Sequence, residues 1–261
     1  MMRNCNSNRG FTLIELLISI SLGIVAVSAI MFFYLTTVTT SAQTLKKARL
    51  NQEVSTALDI MVGEIRRAGI SSSYNVEDPA ANPFNNTNYM LRVWSVNGGN
   101  WVEESFQWGS GSLVKPGQAA CITFTYDSEL DGVVDDYSDF VGFRLSGNVL
   151  QMFDSSSNPA PFTCSSGTWT EIIDSSDIKI TYLNFDVTDF SCFNHSEPDG
   201  NDSDTFAEKD CFDVKPTSGN LVAEIRKLKL TISAELFDDP DVYIDLTSEV
   251  RVRNDRFYYA P

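Results

Sequence analysis

Glu15 is the lone carboxylate in an otherwise apolar run from Phe11 to Leu35, and it stands four residues past a Gly10-Phe11 junction. An ionised carboxylate in such a span costs on the order of 2.5–3.5 kcal/mol or more unless a partner pairs with it. Glu15 is therefore a candidate for a role that supplies such a partner. The junction before it could be a processing point. A secretory signal places a small-residue cleavage site after its apolar core, whereas here Gly10-Phe11 follows a basic leader with Arg3 and Arg9 and precedes the core, so the core would survive cutting. Val27-Ser28-Ala29 has the small residues of a conventional site. Against it, Ile30-Met31-Phe32-Phe33-Tyr34-Leu35 continues the run unbroken. An uncleaved anchor is the remaining alternative.

Two oxygen-rich segments could hold a hard cation. Asp127, Glu129, Asp131 and Asp135 fall at the first, third, fifth and ninth places of a loop in which Gly132 supplies the sharp turn. The set is a candidate calcium site. Ser138 stands where a bidentate Glu would complete it, with Asp136 or Asp139 as substitutes, and a plain acidic turn between Thr123-Phe124-Thr125-Tyr126 and Phe140-Val141-Gly142-Phe143 is the competing reading. The second segment, Glu197 to Asp204, reads as an exposed loop or a weaker cation site. Catalysis finds little support, because the only histidine, His195, cannot supply nucleophile, base and orienter, and there is no Gly-x-Ser-x-Gly or phosphate-binding glycine loop. No cofactor is required, calcium being the one candidate, and a zinc site is disfavoured by the absence of a CxxC pair. Trp94, Trp101, Trp108 and Trp169 could line a binding face, but aromatics in alternating strands more often form core.

Long elements must position these groups. About 25 residues from Phe11, at about 1.5 Å each, suffice to cross a bilayer. No Pro interrupts the chain between Leu35 and Pro79, and Leu45, Leu50, Val54, Leu58, Met61 and Ile65 recur at helical spacing. One helix is expected over 12–68, apolar all round in its first half and striped in its second, with Gly69 as its C-cap. Beyond it, β-branched and aromatic runs near 89–96, 101–108, 120–126, 139–145, 148–153, 178–187, 224–237 and 242–253 predict strands, with Ser146-Gly147-Asn148 as a hairpin turn. The fold class is α+β: a long N-terminal helix laid on an antiparallel, β-rich head over residues 70–261.

The 261 residues carry a formal charge of −16, which becomes −18 once residues 1–10, with their two arginines and no acid, are removed. Such a surface repels phosphate, so direct nucleic-acid binding is not expected. Cys5 lies in the leader, leaving Cys121, Cys164, Cys192 and Cys211, an even set suited to an oxidising compartment. Of the three pairings, Cys121–Cys164 with Cys192–Cys211 is favoured.

Gly10-Phe11-Thr12-Leu13-Ile14-Glu15 resembles the class III signal of type IV pilins and type II secretion pseudopilins. The resemblance implies that prepilin peptidase cuts between Gly10 and Phe11, removes residues 1–10 and methylates the Phe11 amine. It also implies that Glu15 attracts the Phe11 ammonium of a neighbouring subunit during assembly. Ala57 to Gly69, containing Glu64-Ile65-Arg66-Arg67, and Leu246 to Asn254, containing Val250-Arg251-Val252-Arg253, resemble the helix end and last strand of PilW-like minor pilins and the related J-type pseudopilins. Such a subunit is held in inner-membrane lipid through residues 11–35 with its head in the periplasm. It then joins other minor pilins and the major pilin at or near the pilus tip, with a tip adhesin as a further partner. It primes assembly and supports adhesion, twitching motility or DNA uptake. A J-type subunit capping a secretion pseudopilus, and a tip subunit whose head itself binds a surface ligand, are the alternatives. PilW-like chains often carry an acidic Asp-Gly turn like that at 127–136, and calcium sites occur elsewhere in the superfamily.

Overall fold

The computed structural model describes residues 11–73, 78, 82–85, 89–104, 119–134, 137–154, 162–194, 209–210 and 218–259. It divides into two compact units, residues 1–48 and 49–261. The first consists, as far as it is described, of one long stretch of helix α1 (Leu13–Arg67). Long, apolar and free of proline, this stretch is long enough to span a membrane by length and composition. Its apolar side chains are exposed, from Phe11 and Leu13 through Leu35 and Val38 to Leu45. Leu45, expected to begin the stripe facing the head, is thus exposed, and the buried face begins at Leu50.

The second unit contains the end of α1 and three antiparallel sheets. Leu50, Val54, Ala57, Leu58, Met61, Val62 and Ile65 recur at three- and four-residue steps, which puts them on one helix face. That face belongs to one contiguous core with Phe124, Phe143, Ile178, Ile180, Phe185, Leu228, Leu230 and Ile232. The helix stops where Gly69 takes φ +73°, a left-handed value that favours glycine. Its N–H is donated outward to the carbonyl of Thr125 at 2.9 Å, so the end of α1 is stitched to a strand.

The first sheet has the order β2-β1-β3-β4-β5-β6, with β1 Arg92–Asn97, β2 Asn100–Glu104, β3 Cys121–Thr125, β4 Phe140–Ser146, β5 Val149–Phe153 and β6 Trp169–Glu171. Gly98 and Gly99, both at positive φ, close the tight turn between β1 and β2. The expected turn at 146–148 joins β4 to β5, where Ser146 faces Val149. Gly142 is needed for another reason: a Cβ there would lie 2.9 Å from the ring of Trp169 and 3.1 Å from the carbonyl oxygen of Ile122.

A second sheet, β12-β11-β7, uses β7 Ile178–Asp186, β11 Lys227–Leu236 and β12 Tyr243–Arg251. In β11 strict alternation buries Leu228, Leu230, Ile232 and Ala234. In β7 the inward set is Ile178, Ile180, Leu183 and Phe185, a change of parity, and the register against β11 shifts between Ser233 and Ala234. An extra residue in β7 at this bulge keeps both halves of the strand facing the core. The third sheet, β13-β10-β8-β9, comprises β8 Ser191–Asn194, β9 Lys209–Asp210, β10 Leu221–Ile225 and β13 Arg256–Tyr259.

The α+β class is as expected, and three local expectations change. The run at 224–237 is not one strand: it breaks at Arg226, whose carbonyl accepts from Val252, and its two parts lie in different sheets. The strand expected over 101–108 is described only as far as Glu104. Strands β6, β8, β9 and β13 were not foreseen.

Candidate functional site

Two neighbourhoods bear on function: the start of α1, and the corner of the head where α1 ends. At the start, Thr12 precedes the first helical residue and its Oγ1 accepts the N–H of Glu15 at 3.3 Å. Thr12-Leu13-Ile14-Glu15 is thus a capping arrangement in which a hydroxyl satisfies one of the unpaired N–H groups that every helix start leaves. Glu15 is fixed in the first turn, where the positive end of the helix dipole favours an anion. Among the described residues no hydrogen bond or ion pair reaches its carboxylate. Phe11 is 83% exposed. Gly10, the other side of the expected cleavage point, lies outside the described residues.

The opposite end of α1 is held by polar contacts. Tyr126 donates its hydroxyl proton to Glu64 at 2.8 Å, and the Arg67 guanidinium lies 4.1 Å from the centre of the Tyr126 ring. Burial, reinforced by the hydrogen bond to the Glu64 carboxylate and by its charge, pushes the Tyr126 phenol up to about 12, so it stays a proton donor throughout the physiological range.

Asp127 lies next to this clamp and is buried. Its carboxylate accepts N–H groups from Ser72 at 3.1 Å, Asp131 at 3.0 Å and Gly132 at 2.8 Å, while its own N–H is donated to Ile70 at 2.8 Å. Burial alone would raise its carboxyl, but the N–H groups of Ser72, Gly132, Asp131 and Leu130 outweigh it and hold the group below its ordinary value of 3.8. The side chain pins the loop after α1 to the turn after β3. Asp131 serves its own turn by accepting the Val133 N–H at 2.9 Å, Glu129 is exposed, and the buried Asp139 accepts the N–H of Ser128 at 2.9 Å. Among the described residues no three His, Cys, Asp or Glu side chains converge on a metal position. Asp135, the fourth member of the calcium set, lies outside them, as do His195 and the 197–204 loop.

An Asp127→Asn chain should lose on the order of 2 kcal/mol, because an amide group brings N–H donors to a place built from donors. The pH dependence has a definite sign. A carboxyl depressed on folding contributes stability above its unfolded value, and that contribution is lost as pH falls through the folded one. Thermal melts should therefore show wild type losing its advantage over the Asn variant below about pH 4.

Cys121 and Cys164 are bonded to each other, Cα to Cα 6.5 Å apart. Around them lie Trp94, Trp101 and Trp169, so the three described tryptophans pack on a disulfide, and Trp108 lies outside the described residues. Trp94 donates its indole N–H to Thr123 at 3.0 Å, and Arg144 reaches the carbonyl of Cys164 at 2.6 Å while stacking 4.4 Å from the Trp169 ring centre. Burial lowers the pKa of Arg144, and of Arg92 where it lies over Trp94. Cys192 is also disulfide-bonded, and Cys211 lies outside the described residues.

Two features were not foreseen. The Thr12 cap was legible as Thr-x-x-Glu. The meeting of Arg66 with Arg253, whose N–H is donated to the Arg66 carbonyl at 3.1 Å, was not, because only the tertiary fold brings these segments together.

A family model described as prepilin peptidase-dependent protein B matches residues 43–252, and the prokaryotic N-terminal methylation motif matches residues 5–31. No curated protein and no solved structure matches the chain.

Proposed function

From the chain's membership of the prepilin peptidase-dependent protein B family, with the N-terminal methylation motif of its processing route, we propose that it is a PilW-like minor pilin acting at or near the tip of a type IV pilus. At the coarser level it is a pilin-like subunit that depends on prepilin peptidase, anchored in the membrane by an apolar helix before assembly with other pilins.

The observation that carries the pilin-like reading is Glu15. Its backbone is capped by Thr12, its carboxylate has no partner among the described residues, and the helix around it is exposed and apolar. In a low-dielectric setting such a carboxylate must find a cation. Cutting before Phe11 creates one, the terminal ammonium, at the same helix end. Within one chain that ammonium lies at the start of the helix that carries Glu15. A neighbour displaced along the helix axis offers its own at the depth where the carboxylate is buried in apolar surroundings. The pairing thus favours a subunit entering a helical bundle over one left alone in lipid. The length of the chain favours a minor subunit over a major one, because major pilins are usually much shorter.

A clean deletion, scored for both surface pili and secreted proteins, tests the reading. Pili should be lost or strongly reduced while type II secretion continues. Normal pili with lost secretion would make the chain a J-type pseudopilin instead.

A further inference from the structure

The two segments that carry the family resemblance in the head, 57–69 and 246–254, meet at one open cleft of about 520 Å³ lined, among the described residues, by Arg66, Arg251, Val252 and Arg253. Three guanidiniums around one cleft stand out in a chain with 35 acids against 19 lysines and arginines. Arg251 has a carboxylate, Asp255, at 3.2 Å. Arg66 and Arg253 are exposed, and neither side chain makes a hydrogen bond or ion pair with a described residue. Arg67, next in sequence to Arg66, is engaged by Glu64 and Tyr126. The last turn of α1 accounts for a cation at Arg66, since the carbonyl end of a helix favours one. It does not account for Arg253, which comes from beyond β12 and is held there by its N–H to the Arg66 carbonyl. The corner is rich in donors: the Nδ2 of Asn254 is buried with no hydrogen-bond partner among the described residues, and its carbonyl accepts from the buried Arg226 at 2.7 Å.

We propose that this cleft docks a short carboxylate-rich segment of a partner protein, with Arg66 and Arg253 as the two gripping groups and Arg251 sharing its charge between Asp255 and the guest. Guanidinium forks match carboxylates in shape and can bond them through two N–H groups at once. A short acidic peptide suits the site better than nucleic acid. A long polyphosphate would run beyond the arginines over a surface of net −18, whereas a few carboxylates lie within the ~8–10 Å over which charges act in physiological salt. The inference concerns the surface of the head and does not depend on which filament the chain enters.

The test uses the full chain in detergent micelles, titrated into a fluorescein-labelled oligoglutamate peptide and followed by anisotropy, with oligoglutamine and a single-stranded oligonucleotide as comparison probes. Oligoglutamate should bind, weaken with added salt and outcompete both other probes. The double variant Arg66→Gln/Arg253→Gln should bind about tenfold or more weakly, while Arg66→Lys/Arg253→Lys should retain an intermediate affinity. Both side chains are exposed, so melting temperatures should match wild type. Absence of wild-type binding, equal binding by the Gln variant, or tighter binding of the oligonucleotide would overturn the proposal.

Discussion

A Glu15→Ala chain is expected to be made, trimmed and held in the membrane, yet to enter filaments or tip complexes at about a tenth or less of the wild-type amount. The substitution leaves the Thr12 cap in place, because that bond uses the backbone N–H of residue 15 and not its side chain. It leaves the apolar span intact and makes it more apolar, so membrane retention should not fall. What disappears is the one charge that distinguishes a helix docked beside another subunit's terminal ammonium from a helix surrounded by lipid. A loss of 1.4 kcal/mol is tenfold in an equilibrium, and an ion pair formed away from water exceeds that when a single partner is removed. Sheared filaments compared with the membrane pool by immunoblot would show the effect. Assembly equal to wild type would mean that Glu15 does not act through charge pairing.

The second large effect belongs to the head. Replacing Cys121 and Cys164 together by Ala is expected to destabilise it by about 4 kcal/mol. The bond closes a loop with a sequence separation of 43, and on the chain-entropy account a loop of that length restricts the unfolded chain by this amount. For a unit of this size such a change moves the melting midpoint by roughly 10 °C. The surroundings reinforce the expectation, because both sulfurs are fully buried among tryptophans and the Arg144 guanidinium reaches the carbonyl of Cys164. Thermal melts of wild type with and without reductant, beside the double variant, would measure it. Equal midpoints would show that packing of Trp94, Trp101 and Trp169 holds this corner without the covalent bond.

Much of this architecture was legible in the chain because its long elements obey single rules. Fifty-five residues of α1 run between a Thr-x-x-Glu start and a glycine stop, and the stripe from Leu50 to Ile65 names its buried face. β11 and β12 alternate strictly enough to be read directly. The break at Arg226 was hidden because Ile225, Arg226 and Lys227 continue a strand-like pattern, and only the change of sheet partner reveals it. The short strands β6, β8, β9 and β13 have two to four residues each, too few to establish a period of two.

The candidate sites divide in the same way. Glu15 was legible because a charge in an apolar helix is anomalous whatever the tertiary fold. Asp127 was legible as an acid followed by Gly132, but its use as an acceptor for the loop after α1 depends on Ser72, far away in sequence. The arginine cleft needs Arg66 from the helix and Arg253 from the last strand connection, and no local pattern links them.

The central claim is that this chain is a prepilin cut before its apolar helix. N-terminal sequencing and intact mass of the membrane-extracted protein test it most directly. The account predicts Phe11 as the first residue, carrying one N-methyl group, with residues 1–10 gone. Met1 as the first residue would make the helix an uncleaved anchor, and Ile30 would make it a conventional signal; either result would contradict the account.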